Sequence, residues 1–183
     1  MTDVLGKDPI LFYSYEEAKK YNLSGAFKRI QKAMTLDALE IINFEDKSKI
    51  LDLGCGTGFS TKILKEKGFN VIGLDISKNM LIFAKEKNLK VIESNMTSLP
   101  FKDNSFNGLI SISAIQWLKN QEYNIVLKEI NRVIKNKAII QFYPKNNVEF
   151  DYFIKLAKKI FKIEIYEVGQ GNKKKKFISL YKK

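Results

Sequence analysis

The sequence contains no histidine and only one cysteine, Cys55. Histidine is the side chain that titrates near neutral pH, so acid–base catalysis by an imidazole is excluded. A single cysteine cannot form a disulfide framework within the chain, and we expect a reducing compartment. Zinc in proteins is held chiefly by cysteine and histidine, so these two shortages also argue against a metal site.

Long apolar runs are missing as well. No run reaches the ~18 residues that a membrane-spanning helix needs, and we expect no membrane association. Residues 1–9 lack the apolar core of a signal peptide and carry Asp3 and Asp8. The chain has 183 residues, of which 45% are hydrophobic, and this composition suits one globular domain.

Arginine is scarce, but positive charge is not. Arg29 and Arg132 are the only arginines, so lysine supplies nearly all of a formal net charge of +12. An excess of this size predicts a polyanionic partner such as RNA. The alternative is a compositional enrichment in lysine without any such partner, in which case binding to RNA would depend little on salt.

Helix and strand patterns alternate along most of the chain. Ser14 to Glu17 forms a capping box that predicts a helix start, and apolar spacing predicts a second helix over residues 26–42. The predicted strands are residues 49–53, 70–75, 89–94, 106–111, 138–143, 162–168 and 177–181. The predicted intervening helices are residues 60–67, 77–87, 122–134 and 148–161. This order predicts an α/β fold with a mainly parallel seven-stranded sheet that ends in an antiparallel hairpin.

Gly54, Gly56 and Gly58 stand at alternate positions directly after an apolar strand and before a helix. Glycine can adopt positive φ and lets a ligand approach the backbone closely. The third glycine comes one residue earlier than in the dinucleotide fingerprint G-x-G-x-x-G. The spacing is typical of loops that hold the methionine and ribose portion of S-adenosylmethionine. The plain alternative is a tight strand–helix connection without a ligand.

Polar residues follow three of the predicted strands. Asp75 ends the second strand, where an acidic residue can accept hydrogen bonds from ribose hydroxyls. Its alternative role is to cap a helix, although Ser77 is placed to do so. Asp52 precedes the glycine loop and could support it or meet the methionine ammonium. Asn95 and Met96 follow the third strand and are predicted to flank the adenine; the alternative is an ordinary turn.

Longer segments point to a particular family. They are Phe12–Tyr13, Glu17–Tyr21, Ile30–Thr35, Ala38–Glu40, Leu51–Gly56, Ile110–Leu118, Gln141–Pro144 and Lys175–Phe177. With these segments the chain resembles the eukaryotic small-subunit ribosomal RNA guanine-N7 methyltransferases, which act in ribosome biogenesis. The most specific segment is Ile110–Leu118, Ile-Ser-Ile-Ser-Ala-Ile-Gln-Trp-Leu. Asn95 stands where the family usually has aspartate, and it keeps an acceptor oxygen for adenine.

The resemblance implies a Rossmann-like class I methyltransferase fold that uses S-adenosylmethionine as its cofactor. It further implies location in the nucleus, including the nucleolus, and in the cytoplasm. We expect one domain over residues 1–183, with a helical segment (1–45) covering the cofactor site and a Rossmann-like core (46–183). The implied partners are small-subunit rRNA or the pre-ribosome, and a small zinc-binding activator subunit that forms a heterodimer with the chain.

The edge of the sheet is the predicted binding place of that subunit. Residues 89–94 form the third strand, which lies at an edge in the usual strand order of this fold. An apolar edge strand exposes unpaired backbone groups that a partner strand can bind. The alternative is that Lys90 and Glu93 are sufficient to protect an edge that faces solvent. The basic run Lys173–Lys176 could add to the RNA contact, or could be a solvated loop.

Guanine N7 has a free lone pair, so methylation there needs no general base. We therefore predict no acid–base residue, only residues that position the base: Gln116, Trp117 and Tyr143. The predicted cofactor-binding residues are Tyr13, Tyr21, Asp52, Gly54, Cys55, Gly56, Gly58, Asp75, Ile76, Asn95, Met96 and Ser111. Trp117 could instead be a core residue, and Tyr13 and Tyr21 could merely anchor the N-terminal segment.

Two other functions fit the same features. The first is a methyltransferase that acts on a small molecule or a protein, since the glycine loop and Asp75 would be unchanged. The second is a ribosome-assembly factor whose structural role dominates over catalysis. Separate measurements of cofactor affinity and methyl transfer would distinguish these functions.

Overall fold

A computed structural model describes residues 8–171 and 174–183 of the chain. The strands in this part are β1 (Lys49–Leu53), β2 (Asn70–Asp75), β3 (Val91–Glu93), β4 (Phe106–Ile112), β5 (Ile134–Gln141), β6 (Phe161–Val168) and β7 (Lys175–Lys182). The helices are α1 (Pro9–Phe12), α2 (Tyr15–Leu23), α3 (Gly25–Ile41), α4 (Phe59–Glu66), α5 (Lys78–Glu86), α6 (Tyr123–Val133) and α7 (Asn147–Ile160). Single 3₁₀ turns cover Ile115–Trp117 and Asn120–Glu122. No helix in the described ranges is long and apolar enough to cross a bilayer.

The seven strands form one sheet in the order β3-β2-β1-β4-β5-β7-β6. Strands β1 to β5 pair in parallel, and β7 runs antiparallel to both of its neighbours, β5 and β6. The mainly parallel sheet and the antiparallel C-terminal hairpin predicted from the sequence are therefore confirmed.

The strand order reverses between β1 and β4. From β1 the chain moves outward to β2 and β3, and it then returns to form β4 on the other side of β1. Right-handed crossovers place α4 and α5 on one face of the sheet and α6 and α7 on the other. In an open α/β sheet, ligands bind in the crevice at the carboxyl ends of the strands where the order reverses.

The two faces of the sheet bury separate apolar clusters. Helices α6 and α7 cover one face, where Phe142 and Phe153 are among the largest buried side chains. Helix α3 covers the other face with Met34 and Ala38, both fully buried. The apolar spacing in the sequence predicted this contact face of α3.

The N-terminal helices lie across the carboxyl end of the sheet. Ser14 caps α2 by accepting a 3.3 Å hydrogen bond from the Glu17 N–H, as the capping box predicted. Helix α2 packs on α5, and Ala18 joins Met80 and Phe83 in a small cluster of buried residues. Residues 1–7 of the predicted N-terminal segment lie outside the described residues.

Two strands and one short helix are the main departures from the sequence prediction. Strand β3 has three residues instead of the range 89–94, because Leu89 is buried in the turn that follows α5. Strand β5 begins at Ile134, earlier than the predicted residue 138. The earlier start was not predicted because residues 135–137 are polar. Helix α1 was not predicted; it begins with a proline and is capped by Asp8, which accepts a 2.8 Å hydrogen bond from the Ile10 N–H.

Arg132 holds the long connection between β3 and β4. Its guanidinium donates to the carbonyls of Leu99 and Phe101 at 3.0 and 2.6 Å, and it pairs with Glu129 and Asp103 at 2.7 and 3.0 Å. The planar fork of arginine suits several simultaneous acceptors of this kind. The connection, which also carries two predicted cofactor residues, is thereby fixed to α6.

Candidate cofactor and active site

A cavity of about 510 Å³ opens at the carboxyl ends of β1, β2 and β4, beneath the N-terminal helices. This volume is in the range of sites that enclose a ligand of cofactor size. Most of the predicted site residues line it: Tyr13, Tyr21, Gly54, Cys55, Gly56, Asp75, Ile76, Asn95, Met96 and Trp117. Residues from five separate parts of the sequence therefore meet at the strand-order reversal.

The glycine loop after β1 is tight. Gly54 has φ +78°, and its N–H donates a 2.7 Å hydrogen bond to the carbonyl of Leu74 in β2. A Cβ at Gly54 would lie 2.2 Å from the Cβ of Ala114, which no ordinary contact permits. Gly56 has φ +54°, and a Cβ there would lie 3.1 Å from Met80. Glycine is therefore required for the loop to pass between β4 and α5 and leave the cavity open.

Asp75 ties the loop to the end of β2. Its carboxylate accepts hydrogen bonds from the N–H groups of Gly56 at 2.7 Å and Ser77 at 2.9 Å. Burial raises the pKa of this carboxyl, and the backbone hydrogen bonds partly oppose the rise. Ser77 caps α5 through the Met80 N–H at 3.3 Å, so the capping role does not depend on Asp75. Each carboxylate oxygen keeps a lone pair for a ligand hydroxyl.

Asp52 supports the loop from below and does not line the cavity. One carboxylate oxygen accepts hydrogen bonds from the hydroxyls of Ser60 and Thr61, both at 2.6 Å. The other oxygen has no hydrogen-bond partner in residues 8–171 and 174–183. Burial raises the pKa of Asp52 to about 6, although the two hydroxyl bonds lower it. Of the two roles predicted for Asp52, the structure therefore shows the supporting one.

Two further predicted cofactor residues lie outside the cavity. Ser111 is buried within β4, and its hydroxyl donates to the carbonyl of Leu53 at 2.8 Å. Gly58 has φ +83° at the start of α4, where a Cβ would lie 2.4 Å from Leu89. Both residues hold the walls of the site together, and the prediction that they face the cofactor is corrected accordingly.

Two of the predicted base-positioning residues also lie outside the cavity lining. The Gln116 amide is buried and donates to the carbonyl of Ser113 at 2.8 Å. Tyr143 is half-buried, and its hydroxyl lies 3.5 Å from the sulfur of Met34. Gln116 and Tyr143 therefore stabilise the wall behind the cavity, which corrects their predicted contact with the base.

Trp117 does face the cavity. It is half-buried, and its ring centroid lies 5.5 Å from Phe12 and 5.4 Å from Tyr13. The ring of Tyr21 lies 6.1 Å from that of Tyr13 and stacks on Phe27 at 4.7 Å. Of the two alternatives for Trp117, a cavity wall therefore describes it better than a core residue.

Other lining residues were not predicted. They include Gln31 on α3, Ser113 after β4, and the charged residues Lys119, Glu122 and Lys145. Gln31 is a buried polar residue on the apolar face of a helix, and this was a signal available in the sequence. Ser113 has φ +56°, which the sequence pattern does not reveal. The three charged residues belong to irregular segments without periodicity.

S-adenosylmethionine, the cofactor implied by the resemblance, fits the residues present. Gly54 and Gly56 line the cavity without side chains, so a ligand can approach the backbone of the loop closely. Asp75 supplies acceptors at one end, beside the apolar side chains of Ile76 and Met96 and the amide of Asn95. This combination of one carboxylate, one amide and apolar contacts suits a nucleoside.

Comparison with known proteins supports S-adenosylmethionine as the cofactor. The sequence matches the family model described as Methyltransferase domain over residues 51–142, about half of the chain. An 18S rRNA (guanine(1575)-N(7))-methyltransferase from Saccharomyces cerevisiae is 40% identical over 165 residues, which cover 82% of this chain. The chain covers only 60% of the length of that yeast relative.

Solved structures share the fold at low sequence identity. The PH0226 protein from Pyrococcus horikoshii has a TM-score of 0.77 and 22% identity, with 93% of this chain and 99% of that chain covered. A phosphoethanolamine N-methyltransferase from Haemonchus contortus, in complex with S-adenosyl-L-methionine, has a TM-score of 0.75 and 18% identity. That match covers 99% of this chain and 59% of the other.

Asp52→Asn should change how stability depends on pH. The pKa of Asp52 is about 6 in the folded protein, against ~3.9 in an unfolded chain. The folded state therefore binds more protons between these values, and stability is lost as pH rises from about 4 to about 6. Denaturant unfolding should show the wild type losing ~1–3 kcal/mol over this interval relative to the variant. Asp46→Asn, at an exposed carboxylate, is the matched control; parallel profiles for wild type and Asp52→Asn would contradict the assignment.

Asp75→Ala should weaken S-adenosylmethionine binding by ~1–3 kcal/mol, because the ligand hydroxyls lose a charged acceptor and the Gly56 N–H loses its partner. Titration calorimetry of the purified variant measures the loss. Asp75→Asn keeps one acceptor oxygen and should lose less, and Glu86→Ala, an exposed residue on α5, should bind as the wild type does. Unchanged affinity in Asp75→Ala would remove this carboxylate from the site.

Proposed function

Because the chain belongs to the methyltransferase domain family, we propose that it transfers a methyl group from S-adenosylmethionine to N7 of a guanine in small-subunit ribosomal RNA. The observation that carries the proposal is the 40% identity to the yeast 18S rRNA (guanine(1575)-N(7))-methyltransferase over 82% of this chain. The aligned region includes the strands and loops that form the cavity.

The bound cofactor supplies an electrophilic methyl group on a sulfonium. Asp75 would accept hydrogen bonds from the ribose hydroxyls, and Asn95 and Met96 would flank the adenine. The backbone of Gly54 and Gly56 would lie along the methionine portion. These residues hold the donor in one orientation, which directs the methyl group towards the remaining part of the cavity.

The rest of the cavity suits a purine. The rings of Trp117 and Tyr13 form an aromatic wall there, and base–aromatic stacking contributes ~1–3 kcal/mol per base. Since N7 of guanine has a free lone pair, the site needs no group to remove a proton. Alignment of the base can supply much of the rate enhancement, and this agrees with a chain that contains no histidine.

Lysines near the cavity suit the RNA backbone. Lys119 and Lys145 are exposed residues of the cavity lining. Beyond them, Lys176 at the start of β7 lies over the ring of Phe150, with 4.2 Å from its ammonium nitrogen to the ring centroid. Of the predicted basic run, Lys173 lies outside the described residues. Contacts between lysine side chains and phosphates neutralise charge and carry no information about the base sequence.

The purified chain should convert guanosine to N7-methylguanosine in small-subunit rRNA, and nucleoside mass spectrometry with reverse-transcription mapping measures the product. Trp117→Ala should lower kcat/KM about tenfold or more because a stacking surface is lost, whereas Trp117→Phe should lose less. Tyr152→Ala, on the exposed face of α7, is the control. Transfer to a protein or small molecule instead of RNA would contradict the proposal, as would binding to pre-ribosomes without any transfer.

We further propose that a small zinc-binding activator subunit adds a strand to β3. The Lys90 carbonyl and the Ser94 N–H bond to β2 at 2.9 and 3.0 Å. In a parallel pair alternate residues bond the same neighbour, so Val91 and Glu93 direct their backbone groups to the open side. An incoming strand would satisfy those groups and cover Val91 and Ile92, which are half-buried.

Val91→Pro should abolish or strongly weaken formation of the heterodimer, because it removes a free donor that the partner strand needs. The fold should persist, since β2 does not use that donor. Co-purification and calorimetry with the subunit measure the effect, and Val91→Thr, which keeps the N–H and a similar shape, is the control. A wild-type chain that is monodisperse, fully active and indifferent to the subunit would contradict the proposal.

A further inference from the structure

A carboxylate lines the cavity of this strongly basic chain in the same segment as Trp117. Glu122 lines the cavity together with Trp117, Lys119 and Lys145, whereas the chain as a whole carries a net charge of +12. A carboxylate repels phosphate groups, so its presence where RNA would bind calls for a chemical reason. Such a reason exists if the group faces hydrogen-bond donors of a base.

Glu122 has accepting capacity that the protein does not use. It is half-buried, and one carboxylate oxygen accepts a 2.7 Å hydrogen bond from the Lys119 N–H. In the described ranges no lysine or arginine nitrogen lies within 4.0 Å of the carboxylate. One oxygen is therefore open and the other keeps a second lone pair, which is enough for two adjacent N–H donors.

Only guanine among the four RNA bases presents two adjacent donors on its Watson–Crick edge, the N1–H and the 2-amino group. Adenine and cytosine place a ring acceptor beside their amino group, and uracil has a single N–H between two carbonyls. Unpaired bases are recognised on this edge by hydrogen bonds from side chains. A carboxylate thus attracts guanine and repels a ring nitrogen acceptor.

We infer that Glu122 binds the N1–H and 2-amino groups of the target guanine and is a specificity-determining residue of the site. The inference rests on the proposed function, since it assigns the base that the proposed reaction methylates. With the base held on that edge and stacked on Trp117, its N7 lies on the opposite edge, free to meet the methyl donor.

The same contact favours the reaction itself. When the N7 lone pair forms the new carbon–nitrogen bond, the donor's carbon–sulfur bond breaks and its electron pair stays on sulfur. The positive charge of the sulfonium thereby passes to the purine, and no proton leaves N7. A cationic purine has more acidic N–H groups, so the carboxylate binds the transition state more strongly than neutral guanine.

Asp8 is the other carboxylate near the substrate end, and it carries the inference less well. One of its oxygens caps α1 through the Ile10 N–H at 2.8 Å. It also stands ahead of α1, at the first of the described residues. Glu122, by contrast, belongs to the same segment after β4 as Trp117, so the carboxylate and the aromatic wall are positioned together.

The test compares Glu122→Gln with the wild type on the rRNA fragment that the wild type methylates, with either guanosine or inosine at the target. Inosine keeps N7, the N1–H and the carbonyl but lacks the 2-amino group. Glu122→Gln retains an oxygen for the Lys119 N–H, so the 3₁₀ turn should persist. Thermal unfolding and calorimetry with S-adenosylmethionine verify that fold and cofactor binding are unchanged. Glu40→Gln, an exposed residue on α3, is the matched control.

For the wild type and Glu40→Gln, we expect inosine to lower kcat/KM about tenfold. For Glu122→Gln, we expect kcat/KM on guanosine to fall about 10- to 100-fold, with part of the loss in kcat, and the inosine penalty to shrink below about threefold. A Glu122→Gln enzyme that keeps the full inosine penalty overturns the inference, whatever its rate, and leaves the proposed function standing. A wild type that methylates no guanine in the rRNA overturns both.

Discussion

The contact between Gly54 and Ala114 is the constraint on which the site depends. These residues follow β1 and β4, the two strands from which the sheet extends in opposite directions. A Cβ at Gly54 would lie 2.2 Å from that of Ala114, so the two loops meet with no space for a larger residue. The residues that follow β1 and β2 and those that follow β4 are therefore brought to one cavity. A cofactor bound by the residues after β1 and β2 would therefore lie beside a base bound by the residues after β4.

The carboxylates around the carboxyl end of the sheet divide into two kinds. Asp52 is fully buried, and it binds the hydroxyls of α4 with one oxygen while the other has no partner in the described chain. Asp75 and Glu122 each bind backbone N–H groups and still face the cavity. Although the chain has many lysines, carboxylates outnumber lysines in the cavity lining. Each of them has accepting capacity for neutral or cationic N–H and O–H donors, while the lysines at the mouth suit phosphates.

Most of the fold could be predicted from the sequence because its strands are short apolar runs separated by amphipathic helices. The bounds of β1 and β2 agree with the prediction to the residue. The start of β5 was missed because the exposed residues Lys135 and Asn136 separate Ile134 from the apolar second half of the strand. Strand β3 was predicted too long since its apolar first residue, Leu89, turns into the core.

The glycine loop and the acid at the end of β2 were predictable, whereas much of the remaining cavity lining was not. A glycine loop and a strand-terminal acid are local in sequence, so Gly54, Gly56 and Asp75 could be identified from spacing alone. Ser111 and Tyr143 belong to segments that mark the family, yet their side chains turn towards β1 and α3. Glu122 and Lys145 reach the cavity only through tertiary folding of irregular loops. Sequence position shows which segment reaches the site, but not which side chains within it do.

The position of β7 between β5 and β6 affects how the chain can fold during synthesis. Strand β6 is made first, but it pairs with the sheet only through β7. Strand β6 therefore cannot join the sheet before β7 has paired with β5. Until β7 emerges, β5 has an open edge and β6 has no neighbour. Completion of the sheet is thus a late event, and a pause or truncation before β7 would leave two strands available for pairing with other nascent chains.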